Sequence, residues 1–466
     1  MVGMPACEEQ ASESDARWRL GLFSALLALS LVFHQLWWNG FEVPSLHFAV
    51  VLAAFWVLVR PTSVARLLTM LALEVVAVWL DMPGAGSHTL LVAVCGASVL
   101  LYAAGATASA RRLPGAAAFF ERIAPFLRVS LVVLYAAAAL AKMNSGYVDA
   151  AVSCAAAMVP SVVWFDPSLV DASWLFVPAM WGSVLIEAAL PVLLVLPRTR
   201  VAGLVLGTAF HLVLALAGNV PFSSLALAFY VAFLPPGLAT GMRAVVLARR
   251  PPWAGTWIGP AAFATLAGLW TLGGVVTASE PSSATTAVAW GTRLVFVAVV
   301  LAAAALALLA RRAGGRRGRP TRLGLRLAHP AFTAGVALLV LNAMAPYLGL
   351  KTESAFTMFS NLQTEAGSWN HAFIPEAVRV FAYQDKLVRV TASDDPALLR
   401  RTSHGTRIVR FELERHLRRN PGVHATWTDG SGAPRTAVAD GGLSAFAVID
   451  KVAKFRDVRA PGRRGC

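Results

Sequence analysis

The chain has 466 residues, of which 57% are hydrophobic and only 14% are charged, and its mean hydropathy is +0.63. The hydrophobic core of a water-soluble domain needs fewer apolar residues than this. The composition therefore excludes an ordinary water-soluble domain and predicts a polytopic membrane protein. The net charge of +15 comes from 40 Lys and Arg against 25 Asp and Glu. Because these cations are spread over short loops and a tail, without interleaved aromatic residues, the sequence argues against nucleic-acid binding.

The N-terminal residues 1–19 are polar and carry several acids. They lack a basic segment followed by a short apolar core and a cleavage site, so we expect a cytoplasmic segment rather than a signal peptide. Apolar runs then follow one another, which predicts an all-α polytopic transmembrane helix bundle of about 9–11 spans over residues 20–349. The runs are residues 20–38, 43–59, 64–80, 88–108, 126–143, 174–196, 201–217, 222–234, 258–278, 289–310 and 330–348. The second and the eighth are short enough to be tilted, re-entrant or merged with a neighbour.

Arginines collect in every second loop between these runs, whereas the loops on the other side hold only Lys142 and Arg293. Short cytoplasmic loops are the ones that carry an excess of Lys and Arg. We therefore expect the N-terminus in the cytoplasm and everything after Lys351 outside, because the number of spans is odd. The same argument puts Lys142 at the outer end of its helix, where positive charge is otherwise avoided.

Residues 350–466 are charged, alternating and rich in turn residues, which predicts a small extracytoplasmic α+β domain. Two hairpins are expected, one from strands 378–383 and 387–391 and one from strands 424–428 and 435–439. A helix between them starts at Thr406, carries Ile408, Val409, Leu413 and Leu417, and stops at Pro421.

Four cysteines are scattered without the spacing of a redox pair or a zinc cluster, so we predict no metal site. Cys154 and Cys466 would share the outer compartment, where they can pair.

Ionisable side chains inside a span are costly and need a partner, a water-filled cavity or a function. Besides Lys142, the runs contain His34, Glu74, Glu187 and His211. We expect His34 to form hydrogen bonds between helices. For Glu74 we expect an ion pair, within its helix or between helices.

Glu187 precedes Pro191 by four residues. Proline has no N–H, so the carbonyl of Glu187 loses its helical partner, and a kink places a free acceptor and a carboxyl group at one depth. Broken helices of this kind often line internal sites, although a purely structural kink stays open.

Lys142 ends an apolar run in which four alanines, residues 136–139, follow Tyr135. A lysine at a membrane boundary is commonly a snorkelling anchor. In an apolar crevice, desolvation disfavours the ammonium form, and the free amine becomes available as a base. His211 is expected on the same outer half of the bundle, either as a packed core histidine or as a partner of Lys142 in one pocket.

The segment Tyr135-Ala-Ala-Ala-Ala-Leu-Ala-Lys142-Met143-Asn144, with Tyr147 soon after, resembles a family motif. The motif is Y-F-x-A-G-x-x-K-[LM]-[ND]-x-x-W of the vitamin K-dependent γ-carboxylases and their bacterial relatives, the HTTM (horizontally transferred transmembrane) proteins. Lys142 matches the lysine proposed as the catalytic base of that family. Ala139, Ala141 and Tyr147 depart from the family pattern.

Two further stretches look like family segments. Phe210-His211-Leu212 with Gly218-Asn219-Val220-Pro221-Phe222 resembles a histidine-bearing helix and its outer loop. The stretches 346–361 and 370–371 resemble a junction of bacterial members, so the resemblance covers roughly residues 17–371. The outer domain is much shorter than that of the eukaryotic enzymes.

The resemblance implies a γ-carboxylase-like enzyme in a bacterial plasma membrane. Lys142 and His211 would be catalytic, and Tyr135, Asn144 and Asn219 would line the cofactor site. Glu187, selected by the predicted kink before Pro191 and not by the resemblance, is expected in the same site. The cofactor would be a reduced naphthoquinone of the menaquinone or vitamin K type, with oxygen and carbon dioxide as co-substrates. Membrane lipids and an extracytoplasmic protein or peptide substrate are the implied partners. Two alternatives stay open: a non-catalytic quinone- or lipid-binding membrane protein, and a transporter.

Overall fold

The computed structural model describes residues 4–38, 44–170, 172–248, 268, 270, 281–312, 323–402, 405–429, 432, 434–438 and 447–458. The chain is mostly α-helical, with a small antiparallel sheet in the C-terminal region. The helices are α1 (Met4–Trp38), α2 (Leu46–Val59), α3 (Val64–Asp81), α4 (Ser87–Ala110), α5 (Ala116–Lys142), α6 (Cys154–Val162), α7 (Pro167–Val170), α8 (Phe176–Val195), α9 (Arg200–Leu216), α10 (Val220–Tyr230), α11 (Leu238–Ala248), α12 (Pro281–Arg312), α13 (Pro330–Leu348), α14 (Pro396–Arg401), α15 (Arg410–Arg419) and α16 (Ala447–Val452). The strands are β1 (Leu387–Ser393), β2 (Ile408–Val409), β3 (His424–Thr428) and β4 (Pro434–Val438).

Within the described part of the chain, six helices are long and apolar enough to cross a membrane. They are Glu9–Trp38, Ser87–Ala110, Ala116–Lys142, Ser173–Val195, Thr286–Arg312 and Pro330–Leu348. Their number and hydropathy agree with a multi-pass membrane protein.

The finer prediction of about 9–11 spans stays a prediction. Helices α2 and α9 are apolar but shorter than the six, and α3 carries Arg66, Glu74 and Asp81, which lower its mean hydropathy. The predicted run 258–278 lies outside the described residues. Residues 1–19 were expected as a separate segment, whereas α1 continues from Met4 to Trp38 without a break.

The short predicted run 222–234 corresponds to the first helix of a bent helix pair. Residues Val220–Phe233 and Leu238–Ala248 meet at 109°, and together they are long enough for one span. Pro235 and Pro236 interrupt the helical hydrogen bonds, and Gly237 adopts a positive φ of 76°, which a glycine does at little cost.

The chain divides into two compact units. The first unit comprises Met1–Val78, Leu91–Val133 and Ala189–Ala337. Within it, α1 contacts α2, α10 and α11. A buried cluster of Phe33, Ala215, Val220, Phe296 and Val300 joins α1, α9, α10 and α12.

The second unit comprises Trp79–Leu90, Leu134–Ala188 and Leu338–Cys466. Its sheet has the order β2-β1-β3-β4, and all pairs are antiparallel. Alternate residues of β1 and β3 face a core with one side of α15, because side chains alternate along a strand. That core contains Val388, Val390, Leu398, Ile408, Leu413, Leu417, Ala425 and Trp427.

The second predicted hairpin is confirmed as β3 and β4, and the predicted helix ends before Pro421 as expected. The predicted strand 378–383 is wrong. Its first residue closes a 3₁₀ turn, Glu376–Val378, and the N–H groups of Val380 and Phe381 both donate to the carbonyl of Leu348. Ile408 and Val409 were expected in a helix but form β2, because their N–H and C=O groups pair with β1.

Candidate functional site

Near its C-terminal end, helix α5 has one buried face. Tyr135, Ala139 and Lys142 follow one another at steps of four and three residues, which places them on one side of a helix, and all three are buried. Only 6% of the surface of Lys142 is exposed. A snorkelling lysine keeps its charged group in water, so this burial contradicts the anchor interpretation.

Helix α8 carries Glu187 on its buried side. The exposed and the buried residues alternate with the helical period, which orients Glu187 inward. The exposed residues are Val177, Trp181 and Leu185, and the buried residues are Met180, Val184 and Glu187. Pro191 lies inside α8, one turn after Glu187, as the sequence predicted.

Lys142 and Glu187 form a buried ion pair. The Lys142 Nζ lies 2.5 Å from the Glu187 Oε2, and the two side chains are 7% and 6% exposed. Both residues stood out in the sequence, but nothing there paired them, because 45 positions separate them. The pair puts a proton donor and a proton acceptor in direct contact, out of water.

Tyr147 also contacts Lys142. Its ring centroid lies 5.9 Å from the Lys142 Nζ, within the range of a cation–π contact. The Tyr147 hydroxyl lies 2.5 Å from the Ser183 Oγ. Because the Ser183 hydroxyl donates to the carbonyl of Met180, the hydrogen in this contact comes from Tyr147. Burial raises the pKa of the Tyr147 phenol, so it stays protonated.

Asn144 connects the site to the C-terminal part of the chain. Its Nδ2 donates to the carbonyls of Ala141 and Ser360, at 2.8 and 2.6 Å. Its Oδ1 accepts from the N–H of Tyr147 and from the Nδ2 of Asn370, at 2.9 and 3.2 Å. An amide side chain has two donor and two acceptor positions, and here all four are used within the chain. This geometry favours a positioning role for Asn144 over direct contact with a cofactor.

His371 fixes the end of α5 from the other side. Its Nδ1 accepts from the N–H groups of Phe373 and Ile374, so the hydrogen of a neutral ring lies on Nε2, which donates to the carbonyl of Leu140 at 3.0 Å. Burial lowers the pKa of His371, while the bond to Leu140 opposes that shift. The last turn of α5, which ends at Lys142, is therefore held by side-chain hydrogen bonds from both Asn144 and His371.

The stretch 346–361, compared above with a segment of bacterial family members, lies directly against the last turn of α5. Asn361, with a positive φ of 55°, accepts from the N–H of Cys154 and donates to the carbonyl of Val152. These bonds fix the start of α6, a helix that the sequence did not predict. Cys154 itself is disulfide-bonded, and Cys466, its expected partner, lies outside the described residues.

Lys351 is a further buried lysine in the junction. It is 4% exposed, and among the described residues it makes no ion pair. Burial lowers its pKa to about 8, because desolvation disfavours the ammonium form. In the sequence, Lys351 only marked the boundary of the outer domain.

His211 and Asn219 lie in the first unit. The ring of His211 is fully buried, with the rings of Phe210, Phe222 and Tyr230 at centroid distances of 5.5, 5.2 and 6.0 Å. Asn219 precedes α10 without a side-chain cap on it. The expected pocket shared by Lys142 and His211 stays a prediction, since the two residues belong to different units.

The other ionisable residues singled out in the spans are also buried in the first unit. His34 lies beside Trp38, with ring centroids 6.3 Å apart. Glu74 is buried in α3. Arg66, its closest cation along that helix, donates to the carbonyl of Trp56 and lies over the Trp56 ring.

Sequence reasoning missed the roles of Ser183 and Ser360, for which no local pattern exists.

Among the described residues, no group of three or more His, Cys, Asp or Glu side chains is arranged to hold a metal ion. Comparisons of this chain with protein-family models, with curated proteins and with solved structures found no match.

Proposed function

We propose that this protein is a γ-carboxylase-like membrane protein in which the Lys142–Glu187 pair accepts a proton from a reduced naphthoquinone of the menaquinone or vitamin K type. The observation that carries the proposal is the buried contact of 2.5 Å between the Lys142 Nζ and the Glu187 Oε2. The lysine is the one that the sequence resemblance assigned as base, and its burial is the condition for that chemistry.

The pair can supply a base without leaving a charge unbalanced. Transfer of one proton from the Lys142 ammonium to the Glu187 carboxylate would give a neutral amine and a neutral carboxyl group, so the exchange within the pair changes no net charge. The Nζ lone pair then takes a hydroxyl proton, while Glu187 keeps the proton it received. The ring of Tyr147 stabilises the ammonium group that forms.

An apolar cluster beside the pair suits an apolar reactant. Met180, Val184 and Tyr147 form a buried apolar cluster in the second unit. When bound, the naphthoquinol supplies the reducing power: with dioxygen it gives an epoxide and water, and carbon dioxide replaces the γ-proton of a glutamate in an extracytoplasmic protein or peptide.

The remaining sequence-derived residues take secondary roles in this proposal. Asn144 positions the last turn of α5, and Tyr135 and Ala139 form the helix face that carries the lysine. For His211 and Asn219, which lie in the first unit, the proposed roles rest on the sequence resemblance alone, with His211 as a group that would stabilise an anion or orient a reactant.

In the proposed orientation, the N-terminus would be cytoplasmic, and the C-terminal domain would lie outside a bacterial plasma membrane. Disulfides persist in oxidising compartments, so the oxidised state of Cys154 supports an outer location for the loop that follows Lys142.

A transporter is the second candidate. Buried ion pairs inside membrane proteins also mark proton pathways, and the 109° break between α10 and α11 is an interrupted helix of the kind that transporters use, while α8 carries Pro191 within an unbroken helix. A quinone-binding protein without turnover would use the same buried pair as a hydrogen-bonding site.

The test uses the full chain in vesicles with reduced menaquinone, bicarbonate and oxygen. We expect epoxide formation, and a decrease of about 10²- to 10⁴-fold in the Lys142→Ala and Glu187→Gln variants. Lys386→Ala removes an exposed lysine of the same unit and is the matched control, which should keep full activity.

The proposal is wrong if the parent chain forms no epoxide, or if Lys142→Ala forms it equally well. Bound menaquinone that is lost in Lys142→Ala, without oxygen consumption in the parent, would identify the binding protein. Dissipation of an imposed pH gradient that requires Lys142 and Glu187, without a quinone, would identify the transporter.

A further inference from the structure

The segment 372–382 of the second unit, called here the apolar segment, presents hydrophobic side chains to its surroundings. Phe373 and Val380 are 74% and 71% exposed, and Val378 and Phe381 are 39% and 40% exposed. Soluble proteins rarely leave such a contiguous apolar patch uncovered. The segment has no helix or strand apart from the 3₁₀ turn Glu376–Val378, so the side chains project from a loop.

Both ends of the apolar segment are attached to the ends of apolar spans. At its start, the N–H of Ala372 donates to the carbonyl of Met143, the residue after α5, at 2.9 Å. At its end, the N–H groups of Val380 and Phe381 donate to the carbonyl of Leu348, the last residue of α13, at 3.2 and 2.9 Å. Because α5 and α13 are long enough to cross a membrane, their ends lie at its surface, and so does the segment between them.

The attachment at α13 is close and specific. Gly349 follows the helix with a positive φ of 80°, and a Cβ atom placed there would collide with the carbonyl oxygen of Phe381. Two residues beyond the segment, the Gln384 Nε2 donates to the carbonyl of Pro346 at 3.1 Å. The backbone of the segment is therefore held against the end of the span.

The charges of the segment are neutralised within the protein. Its acid, Glu376, lies 3.2 Å from the Arg379 guanidinium, which also binds Asp385 at 2.7 Å. The remaining members are apolar. A loop with paired charges and exposed Phe and Val side chains has the composition of an interfacial membrane anchor.

We propose that the apolar segment inserts Phe373, Val380 and Phe381 into the lipid leaflet at which α5 and α13 end. The occupant of this surface is lipid, at the boundary of headgroups and acyl chains, because the two span ends fix the segment at that depth. The inference does not depend on the proposed chemistry of Lys142. It assigns the C-terminal domain a second attachment to the membrane, besides the continuous chain after α13.

The test places an environment-sensitive nitrobenzoxadiazole label on single cysteines in the full chain, reconstituted in phosphatidylcholine vesicles. Phe373→Cys and Val380→Cys report on the segment, so the result does not depend on one variant folding. Ala397→Cys, exposed at the start of α14, is the control. The parent chain labelled in parallel gives the signal of its own cysteines.

We expect a blue-shifted emission at positions 373 and 380, with quenching by lipids nitroxide-labelled near the headgroup that is severalfold stronger than at position 397. Aqueous iodide should quench the label at position 397 severalfold more than the other two. Equal iodide quenching at all three positions would overturn the proposal. Labels at 373 and 380 that are shielded from both iodide and the nitroxide lipids would also overturn it, and would indicate a protein partner or a second copy of the chain.

Discussion

Lys142 in the second unit and His211 in the first unit are both buried in apolar helices, but their surroundings differ. Lys142 contacts a carboxylate at 2.5 Å and faces one aromatic ring, whereas His211 lies among the rings of Phe210, Phe222 and Tyr230. The first environment joins a proton donor to an acceptor, and the second surrounds an imidazole with aromatic rings. The direct contact with a carboxylate is what supports proton chemistry at Lys142.

The largest expected effect comes from breaking the ion pair. Lys142→Met keeps a side chain of similar length and removes the charge, which leaves the Glu187 carboxylate buried without its partner. We expect the free energy of unfolding in detergent to fall by about 3–5 kcal/mol. The measurement is denaturant-induced unfolding of the purified chain, followed by tryptophan fluorescence.

A double variant, Lys142→Met with Glu187→Leu, distinguishes the unpaired charge from a loss of packing. Removing both charges should restore most of the free energy, because a buried pair and an apolar pair of similar volume are often equivalent in stability. Lys386→Met, at an exposed position, should change it by less than about 0.5 kcal/mol. A double variant as unstable as the single one would show that the contact stabilises the fold through packing.

The sequence alone predicted the components of this site but not their assembly. Hydropathy and helical period were sufficient to select Lys142 and Glu187 as costly groups and to put Tyr135 and Lys142 on one face. The pairing depends on how α5 and α8 approach each other, and a single sequence carries no signal for that. The same limit explains Asn144, whose partners Ser360 and Asn370 lie more than two hundred positions away.

The C-terminal region shows a different limit. The hairpin of β3 and β4 has turn residues between alternating strands, so local pattern predicted it correctly. The stretch 378–383 alternates in the same way, but the N–H groups of Val380 and Phe381 are used by the carbonyl of Leu348 at the end of α13. A tertiary hydrogen bond overrode the local preference for a strand.

A smaller effect is expected from packing around His211. In α9, a Cβ atom at Gly207 would collide with the hydroxyl of Tyr230, which packs against the His211 ring. We expect Gly207→Ala to lower the free energy of unfolding by about 1–3 kcal/mol. Gly182→Ala in α8, where a Cβ atom meets nothing within 4 Å, is the matched control and should raise it by about 0.5–1 kcal/mol. If Gly207→Ala is neutral, the aromatic surroundings of His211 are looser than the structure indicates.

The smallest expected effect is the acid dependence of the second unit through His371. A protonated ring cannot accept at Nδ1, so protonation breaks the bonds from Phe373 and Ile374. Because burial lowers the folded-state pKa of His371 below the ordinary value of 6.5, the unfolded chain binds the proton more readily. Its contribution to stability is therefore complete above about pH 6.5 and is lost as the pH falls towards the folded-state pKa.

We expect the melting temperature in detergent to decrease by a few degrees over that range, and the decrease to be smaller in His371→Gln, which has no ring to protonate. His424→Gln removes an exposed histidine from the same unit and should keep the acid dependence of the parent. Equal acid dependence in the parent and in His371→Gln would mean that groups other than His371 carry it. The hydrogen bond from His371 to the last turn of α5 would then be insensitive to pH. The contrast between the surroundings of Lys142 and those of His211 would in that case rest on the Lys142–Glu187 pair alone.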